Sequence, residues 1–431
     1  MKILQINQCH YKRGGADVVY LNTIDLLQSN GHEVACISTQ NPLNEDSRFS
    51  EFFVSSSDLR KQSVKSKISR IIPYIFNKEA YNQTERLIKD FKPDVAHVHL
   101  FNAYLSISIL NVLHKHKIPI VHTVHDYKLL CPENGFLDSK GQVCELCAKG
   151  SISNCLKKRC SEGKFSQSAI ISIEALYWKH LNHPLSHIDT FHFVSNFCKN
   201  KHVEYYPQIE NRATVFYNFT SVLTKELLEK REKYYLYFGR LSPEKGITTL
   251  IDTWKMLPGN MKLKIVGSGG LQDKLVEEIG ISKLDNVELL GYKSGIELES
   301  LIQNAHFVIV PSECYENNPM TIIESYSFGT PVIGSNMGGI PEIINDNQTG
   351  YIFECKNSLQ LKAKIQLADN LNPEDYLRFS KNALAFASAN FSKEIFYDHL
   401  MELYYKTIDI SHKHTQELIN STLTDSVQIT N

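Results

Sequence analysis

Two cations five positions apart, Arg240 and Lys245, stand in the octapeptide G-R-L-S-P-E-K-G at 239–246, with a glycine at either end. The apolar run Y-Y-L-Y-F before it reads as a strand and the residues after Gly246 as a helix. Both cations therefore fall beside a helix N-terminus, where backbone N–H groups favour anions. An arginine fork and a lysine point charge suit phosphate oxygens; the plain alternative is a solvated basic loop. Two carboxylates, Glu316 and Glu324, lie eight residues apart in E-N-N-P-M-T-I-I-E. Pro319 fits the first turn of a helix, which puts Glu324 inside that helix and Glu316 in the loop before it. Each carboxylate accepts hydroxyl hydrogen bonds, as a sugar or a ribose offers, or else simply caps or solvates the helix.

Two glycine loops point the same way. Gly14-Gly15 follows the first strand and opens a helix, so it is either a close approach to a ligand or a tight turn. V-G-S-G-G-L at 266–271, with Gly267 first, resembles a dinucleotide fingerprint, but Gln272 stands where the third glycine belongs. Five cysteines, Cys131, Cys144, Cys147, Cys155 and Cys160, crowd one stretch. The spacings Cys144-x2-Cys147 and Cys155-x4-Cys160 predict a structural zinc site of four thiolates, against free thiols or an oxidised pair. Residues 60–78 combine Arg60, Lys61, Lys65, Lys67, Arg70 and Lys78 with Val64, Ile68, Ile71, Ile72, Ile75 and Phe76. Such a segment either docks on an anionic membrane surface or packs its apolar side on the protein.

The elements that must position these residues follow one rhythm. Short apolar runs (K-I-L-Q-I at 2–6, E-V-A-C-I-S, D-V-A-H-V-H at 94–99, P-I-V-H-T-V at 119–124, T-F-H-F-V at 190–194) alternate with helical patterns. The Cys-rich insert at 131–160 interrupts them. After a polar, helix-prone crossing at 218–233 a second series begins, with K-L-K-I-V-G, N-V-E-L-L-G, H-F-V-I-V-P and T-P-V-I-G-S as its later strands. The reading is α/β, two Rossmann-like doubly wound domains facing across a cleft. Residues 1–217 form the first domain and 218–391 the second. A helix at 392–410 returns toward the first, and 411–431 is a polar mobile tail.

Length and charge agree with this. The 431 residues suffice for two or three domains, and 42 % of them are apolar. With 46 basic and 47 acidic residues, the chain lacks the excess charge of a nucleic-acid binder. No run of eighteen apolar residues marks a membrane span. Asn7, Gln8 and His10 break the only N-terminal apolar stretch, so a cytoplasmic location is expected.

Taken together and in this order, G-G at 14–15, His125 in T-V-H-D-Y, G-R-L-S-P-E-K-G, Glu316-x7-Glu324 and G-G-I-P-E at 338–342 give the chain a close resemblance to retaining family-4 glycosyltransferases of GT-B fold. The resemblance spans residues 1 to about 408. It implies that Arg240 and Lys245 hold the diphosphate of a nucleotide-sugar donor, UDP- or GDP-linked, and that Glu324 binds its ribose. Glu316 would contact the transferred sugar, with His125 lining the sugar pocket, where the plain alternative is a satisfied core histidine. Gly14 and Gly15 would sit against the diphosphate and admit a saccharide or lipid-linked acceptor. Gly267 belongs with the nucleotide side, and Gly291 and Tyr292 would lie near the base. Asn317-Asn318-Pro319 replaces the Gly- and Phe-containing stretch of many relatives, which leaves the sugar open. No D-x-D metal motif is present, and two cations with a helix end need no metal for the chemistry. The rival readings are a nucleotide-sugar-binding protein without transfer activity and an NAD-dependent oxidoreductase, the latter disfavoured by Gln272.

Overall fold

The structure, a computed structural model, describes residues 1–55, 71–228 and 231–428. Among these, twelve strands form two six-stranded sheets. The first holds β1 (Lys2–Ile6), β2 (Glu33–Ile37), β3 (Val95–Val98), β4 (Ile120–Val124), β5 (Thr190–Phe193) and β6 (Ala213–Val215), in the order β2-β1-β3-β4-β5-β6. The second holds β7 (Tyr234–Phe238), β8 (Lys262–Val266), β9 (Val287–Gly291), β10 (Phe307–Val310), β11 (Val332–Ser335) and β12 (Gly350–Phe353), in the order β12-β11-β10-β7-β8-β9. Every pairing is parallel. Central strands such as β4 and β10 are buried along their whole length. That is why they read as unbroken apolar runs rather than alternating ones.

Strand order decides where a ligand can sit. In the second sheet the chain runs outward from β7 through β8 to β9, then returns to β10 on the other side of β7. The loops after β7 and β10 diverge there and leave a crevice. In the first sheet the equivalent gap lies between β1 and β3, beside the Gly14-Gly15 turn.

Three boundaries differ from the sequence reading. The crossing at 218–233 holds no helix among its described residues. The strands β6 and β12 are not among the apolar runs: β6 has three residues, and β12 opens on Gly350. The last helix does not stop near 410: Lys393–Gln428 is one helix. Its first turns pack Phe396, Leu400, Leu403 and Tyr404 against Ile3, Tyr20, Leu27 and Phe216 of the first half. Residues 60–70 of the basic segment lie outside the described residues. Of the remainder, Ile71–Ile75 forms a short helix with Ile72 exposed.

Candidate functional site

The loop after β7 is shaped before any ligand arrives. A single 3-10 turn, Pro243–Lys245, leads through Gly246 into the helix Ile247–Trp254. Gly246 has φ +69°, and a Cβ there would overlap the carbonyl oxygen of Pro311 in the loop after β10. Gly267, at φ +141°, likewise leaves no room for a Cβ against the Gly239 carbonyl. Its N–H donates to the carbonyl of Gly291 at 2.8 Å. The glycine loops after β7, β8 and β9 are thus stacked backbone on backbone.

Lys245 and Glu316 meet at the crevice. Lys245 Nζ donates to Glu316 Oε1 at 2.6 Å, and Ser312 Oγ donates to the same oxygen at 2.6 Å. Burial alone would push the Glu316 carboxyl up. The Lys245 charge and these two hydrogen bonds outweigh it and hold the carboxyl below its ordinary value. Burial likewise pulls Lys245 down, but Glu316 raises it more. Arg240 has its nearest carboxylate, Glu244, at 3.6 Å, and 68 % of its side chain is exposed. One cation is therefore locked and the other is open to solvent.

The Glu316 loop is gripped from both sides of the cleft. The Gly339 N–H donates to the Glu316 carbonyl at 2.7 Å, and a Cβ on Gly338 would overlap Glu316 backbone. Asn317 Nδ2 donates to the His125 carbonyl at 2.8 Å, and Asn318 Oδ1 accepts from the Asn218 N–H at 2.8 Å. These bonds fix both amide orientations. The remaining atoms, Asn317 Oδ1 and Asn318 Nδ2, are buried without a hydrogen-bond partner. Gly15 faces Met320 across the same gap, where a Cβ on Gly15 would come within 3.3 Å of Met320 Cγ. Gly14 immediately precedes the helix Gly15–Ser29.

Glu324 sits in the helix Met320–Ser327, immediately after Pro319. Burial, with the nearby Glu299 charge, pushes its carboxyl up to about 7. Tyr292 lies at the end of β9 and is 69 % exposed. His125 follows β4 and bonds His99 through its ring, Nε2 to Nδ1 at 2.9 Å. Burial takes its pKa down to about 3, so the ring is neutral.

The structure does not support the expected zinc site. Among the described residues no group of three or more His, Cys, Asp and Glu side chains is placed to hold a metal ion. Cys155 and Cys160 hydrogen-bond each other, and Cys147 Sγ approaches the Ile152 carbonyl at 3.9 Å. Cys144 follows the small Leu137–Val143 bridge.

The insert does something else. Its Glu145 accepts from Tyr315 OH at 2.9 Å, Tyr205 OH at 2.8 Å, and Lys201 and Lys149 at 3.1 Å each. Tyr315 directly precedes Glu316, so the insert reaches across the cleft to the loop carrying the carboxylate. Glu342 makes a second bridge, accepting from the Asn196 N–H at 2.8 Å and from the Phe197 N–H, at the start of the helix Asn196–Tyr205. Neither bridge has a spacing that singles it out. Only the G-G-I-P-E motif pointed near Glu342.

Comparison with known proteins matches this geometry. Residues 13–222 match the profile of Glycosyltransferase Family 4, and residues 220–386 that of Glycosyl transferases group 1. The uncharacterized glycosyltransferase MJ1178 of Methanocaldococcus jannaschii is 36 % identical over 174 residues, 40 % of this chain and 47 % of that one. That alignment therefore spans less than half of the relative's length. An uncharacterized 42.6 kDa protein in the cps region of Klebsiella pneumoniae is 24 % identical over 82 % of this chain and 90 % of its own. Among solved structures, Anabaena HepE in complex with UDP superimposes with a TM-score of 0.66 at 17 % identity, over 94 % of this chain and 100 % of that one. The same protein in complex with UDP-glucose gives 0.64 at 18 % identity, over the same shares. The two profiles run on from one another from residue 13 to residue 386, through every strand but β1, and the chain belongs to the group 1 and family 4 glycosyltransferases of GT-B fold.

Proposed function

We propose that the chain moves a hexose or related sugar from a nucleotide-diphosphate donor to a saccharide or lipid-linked saccharide acceptor, with retention, in surface polysaccharide synthesis. The observation that carries this reading is the composition of the crevice between β7 and β10. A locked lysine–glutamate pair and a solvent-open arginine stand there, and the two residues that follow Glu316 each carry a buried amide atom without a partner.

Arg240 and Lys245 then bind the diphosphate, and their contacts strengthen as the sugar bond breaks and charge grows on the leaving phosphate. They supply the positive charge, so this chemistry asks for no metal. Glu316, held charged, faces the transferred sugar. Asn317 Oδ1 and Asn318 Nδ2 offer one acceptor and one donor to its hydroxyls, in place of backbone contacts. Glu324 takes the ribose hydroxyls, Gly267, Gly291 and Tyr292 flank the nucleotide, His125 lines the sugar pocket, and Gly14 and Gly15 sit against the diphosphate and admit the acceptor. The UDP and UDP-glucose complexes of HepE support a uridine nucleotide as donor. The cps-region relative supports polysaccharide synthesis.

Incubation with radiolabelled UDP-glucose and GDP-mannose, with candidate lipid-linked acceptors, tests the reading. Expected are nucleoside diphosphate release, a labelled product and, by NMR of the new linkage, the donor's anomeric configuration. Binding without release would favour a nucleotide-sugar-binding protein. An inverted product would end the retaining mechanism.

Among the described residues no helix is long and apolar enough to cross a membrane. A lipid-linked acceptor must then be met at the bilayer surface, on its cytoplasmic side in this reading. Peripheral contact through 60–78 serves that purpose, with Ile72 presenting an exposed apolar side chain in the described part of that segment. Liposome flotation checks it: binding to anionic vesicles and not to neutral ones is expected, and equal binding to both removes the electrostatic part.

A further inference from the structure

The core beneath His125 holds a continuous file of polar side chains that neither the fold nor the crevice chemistry explains. His125 Nε2 bonds His99 Nδ1 at 2.9 Å, and His99 Nε2 bonds Gln5 Oε1 at 3.1 Å. Gln5 Nε2 donates to Tyr404 OH at 3.1 Å, and Tyr404 OH bonds His97 Nδ1 at 2.7 Å. His97 Nε2 bonds Thr123 Oγ1 at 2.6 Å, and Thr123 Oγ1 bonds His192 Nδ1 at 2.9 Å. The file ends where His192 Nε2 meets the Phe216 carbonyl at 2.9 Å. It crosses β1, β3, β4 and β5 and takes one member, Tyr404, from the C-terminal helix. Gln5, His97, Thr123, His192 and Tyr404 are all buried.

The last link fixes all the others. A backbone carbonyl only accepts, so His192 carries its hydrogen on Nε2. Burial holds the four imidazoles neutral, each with one hydrogen to give. His192 Nδ1 is then an acceptor, and Thr123 must donate to it. Thr123 therefore accepts from His97 Nε2–H, which leaves His97 Nδ1 to accept from Tyr404. Tyr404 in turn accepts from the Gln5 amide, whose Oε1 accepts from His99 Nε2–H. His99 Nδ1 is left as an acceptor, so His125 must donate through Nε2. Every hydrogen points inward, and none of the links is left unpaired.

We infer that this file is a tautomer relay: it holds His125 as the Nε2–H form, so that the other ring nitrogen, Nδ1, presents a lone pair to a hydroxyl of the donor sugar. No described protein group bonds that nitrogen. Gln5, His99 and Tyr404 are on this account positioning residues acting through His125, and the C-terminal helix takes part in setting the sugar pocket through Tyr404. The use made of Nδ1 rests on the glycosyltransferase reading; the tautomer does not. A lone pair at Nδ1 needs a hydroxyl hydrogen free to donate, so a hydroxyl already committed elsewhere as a donor is rejected; the alternative tautomer would turn a donor toward the sugar and lose that discrimination.

Two-bond 1H–15N correlation spectra of the ligand-free protein, with selectively labelled histidine, read the tautomers directly. The expected pattern is Nε2–H for His125, His99, His97 and His192. A His125 ring with its hydrogen on Nδ1, or a cationic ring at pH 7, overturns the relay even where no variant folds. Gln5→Met keeps the volume and removes the link to His99. It should leave His125 a mixture of tautomers and lower kcat/KM about 3- to 10-fold, the scale of one hydrogen bond. UDP affinity should stay within about twofold, since the second sheet holds the nucleotide. An unchanged His125 spectrum in Gln5→Met, or mixed tautomers with an unchanged rate, overturns the proposal. A parent protein with the expected tautomers that transfers no sugar supports the relay and removes only the glycosyltransferase reading.

Discussion

The two walls of the cleft are built on one plan and carry opposite electrostatics. Each is a parallel sheet whose neighbouring strands diverge at a switch point. On the C-terminal wall the polar groups are charged: Lys245 and Glu316 in contact at 2.6 Å, with Arg240 open to solvent beside them. Within the N-terminal wall the file beneath His125 is neutral: four histidines, an amide and two hydroxyls joined head to tail. The difference follows from what each wall can solvate. A charge survives near the crevice because its partner or water compensates it. A charged imidazole beneath β1 and β3 would have neither. A leaving diphosphate needs charge in front of it, whereas a sugar hydroxyl needs only a correctly oriented donor or acceptor.

The charged wall is broken most severely by Lys245→Ala. Turnover should fall about 100-fold or more, at about 1.4 kcal/mol per tenfold. The Glu316 carboxylate, only 13 % exposed, also loses its cation, so stability should drop by about 3 kcal/mol. Arg240→Ala separates the two effects. Its side chain is 68 % exposed, so urea unfolding should move by less than about 0.5 kcal/mol while turnover falls about tenfold or more. Arg240→Lys should not restore the rate, because the fork that spans two phosphate oxygens is gone. A folded Arg240→Ala, Lys245→Ala double variant that transfers sugar at the parent rate would remove this loop from the mechanism.

Glu324 is the one carboxylate of the site that burial leaves half protonated near neutral pH, at about 7. Its raised value means that its contribution to stability is present below the ordinary carboxyl range and is lost as pH rises toward 7. A ribose that needs the carboxylate reverses the trend for binding. UDP affinity should therefore increase about tenfold between pH 6 and pH 8, with proton release on binding. Glu324→Gln should bind UDP more weakly at pH 8 and show a flat profile. Titration calorimetry in buffers of different ionisation enthalpy checks both, and a flat profile in the parent chain would take Glu324 out of the ribose site.

How far the sequence carries one toward these walls differs between them. The charged wall is legible because its chemistry sits in contiguous loops. G-R-L-S-P-E-K-G and E-N-N-P-M-T-I-I-E each keep their residues within nine positions, and strand order alone brings Lys245 to Glu316. The neutral wall is not legible in that way. Gln5, His97, His99, Thr123, His192 and Tyr404 are scattered over 400 residues on or just after four strands and on a helix, so no one spacing joins them. His125 was visible only through the T-V-H-D-Y resemblance. The cysteine spacing is the converse case, a local signal that the described residues do not support as a metal site. Cys144-x2-Cys147 fits a zinc knuckle locally, but Cys155 and Cys160 turn to each other, and the insert's contribution is Glu145.

The smallest expected effect concerns the bridge between the walls. Tyr315 donates to Glu145 at 2.9 Å and rests its ring against Phe197, with centroids 5.0 Å apart. Tyr315→Phe keeps the ring and deletes the hydroxyl. Burial raises the Glu145 carboxyl, but hydrogen bonds from Tyr205, Tyr315, Lys149 and Lys201 overcome this and hold it at about 2. The three remaining donors keep it ionised, so the loss is one charge-assisted hydrogen bond across the cleft, about 1 kcal/mol. Turnover should fall about 2- to 5-fold, because the loop carrying Glu316 is less firmly held when the walls close. UDP affinity should be unchanged, since Tyr315 reaches toward the insert and not toward the nucleotide side. A carboxyl held that low contributes its stabilisation above its ordinary range and loses it only as pH falls toward 2. The Tyr315→Phe defect should accordingly be the same at pH 6 and pH 8, unlike the Glu324 effect. A defect that grows between those two pH values, or a loss of UDP affinity equal to the loss of rate, would place Tyr315 in the nucleotide site and dissolve the distinction between a charged wall that binds and a bridge that aligns.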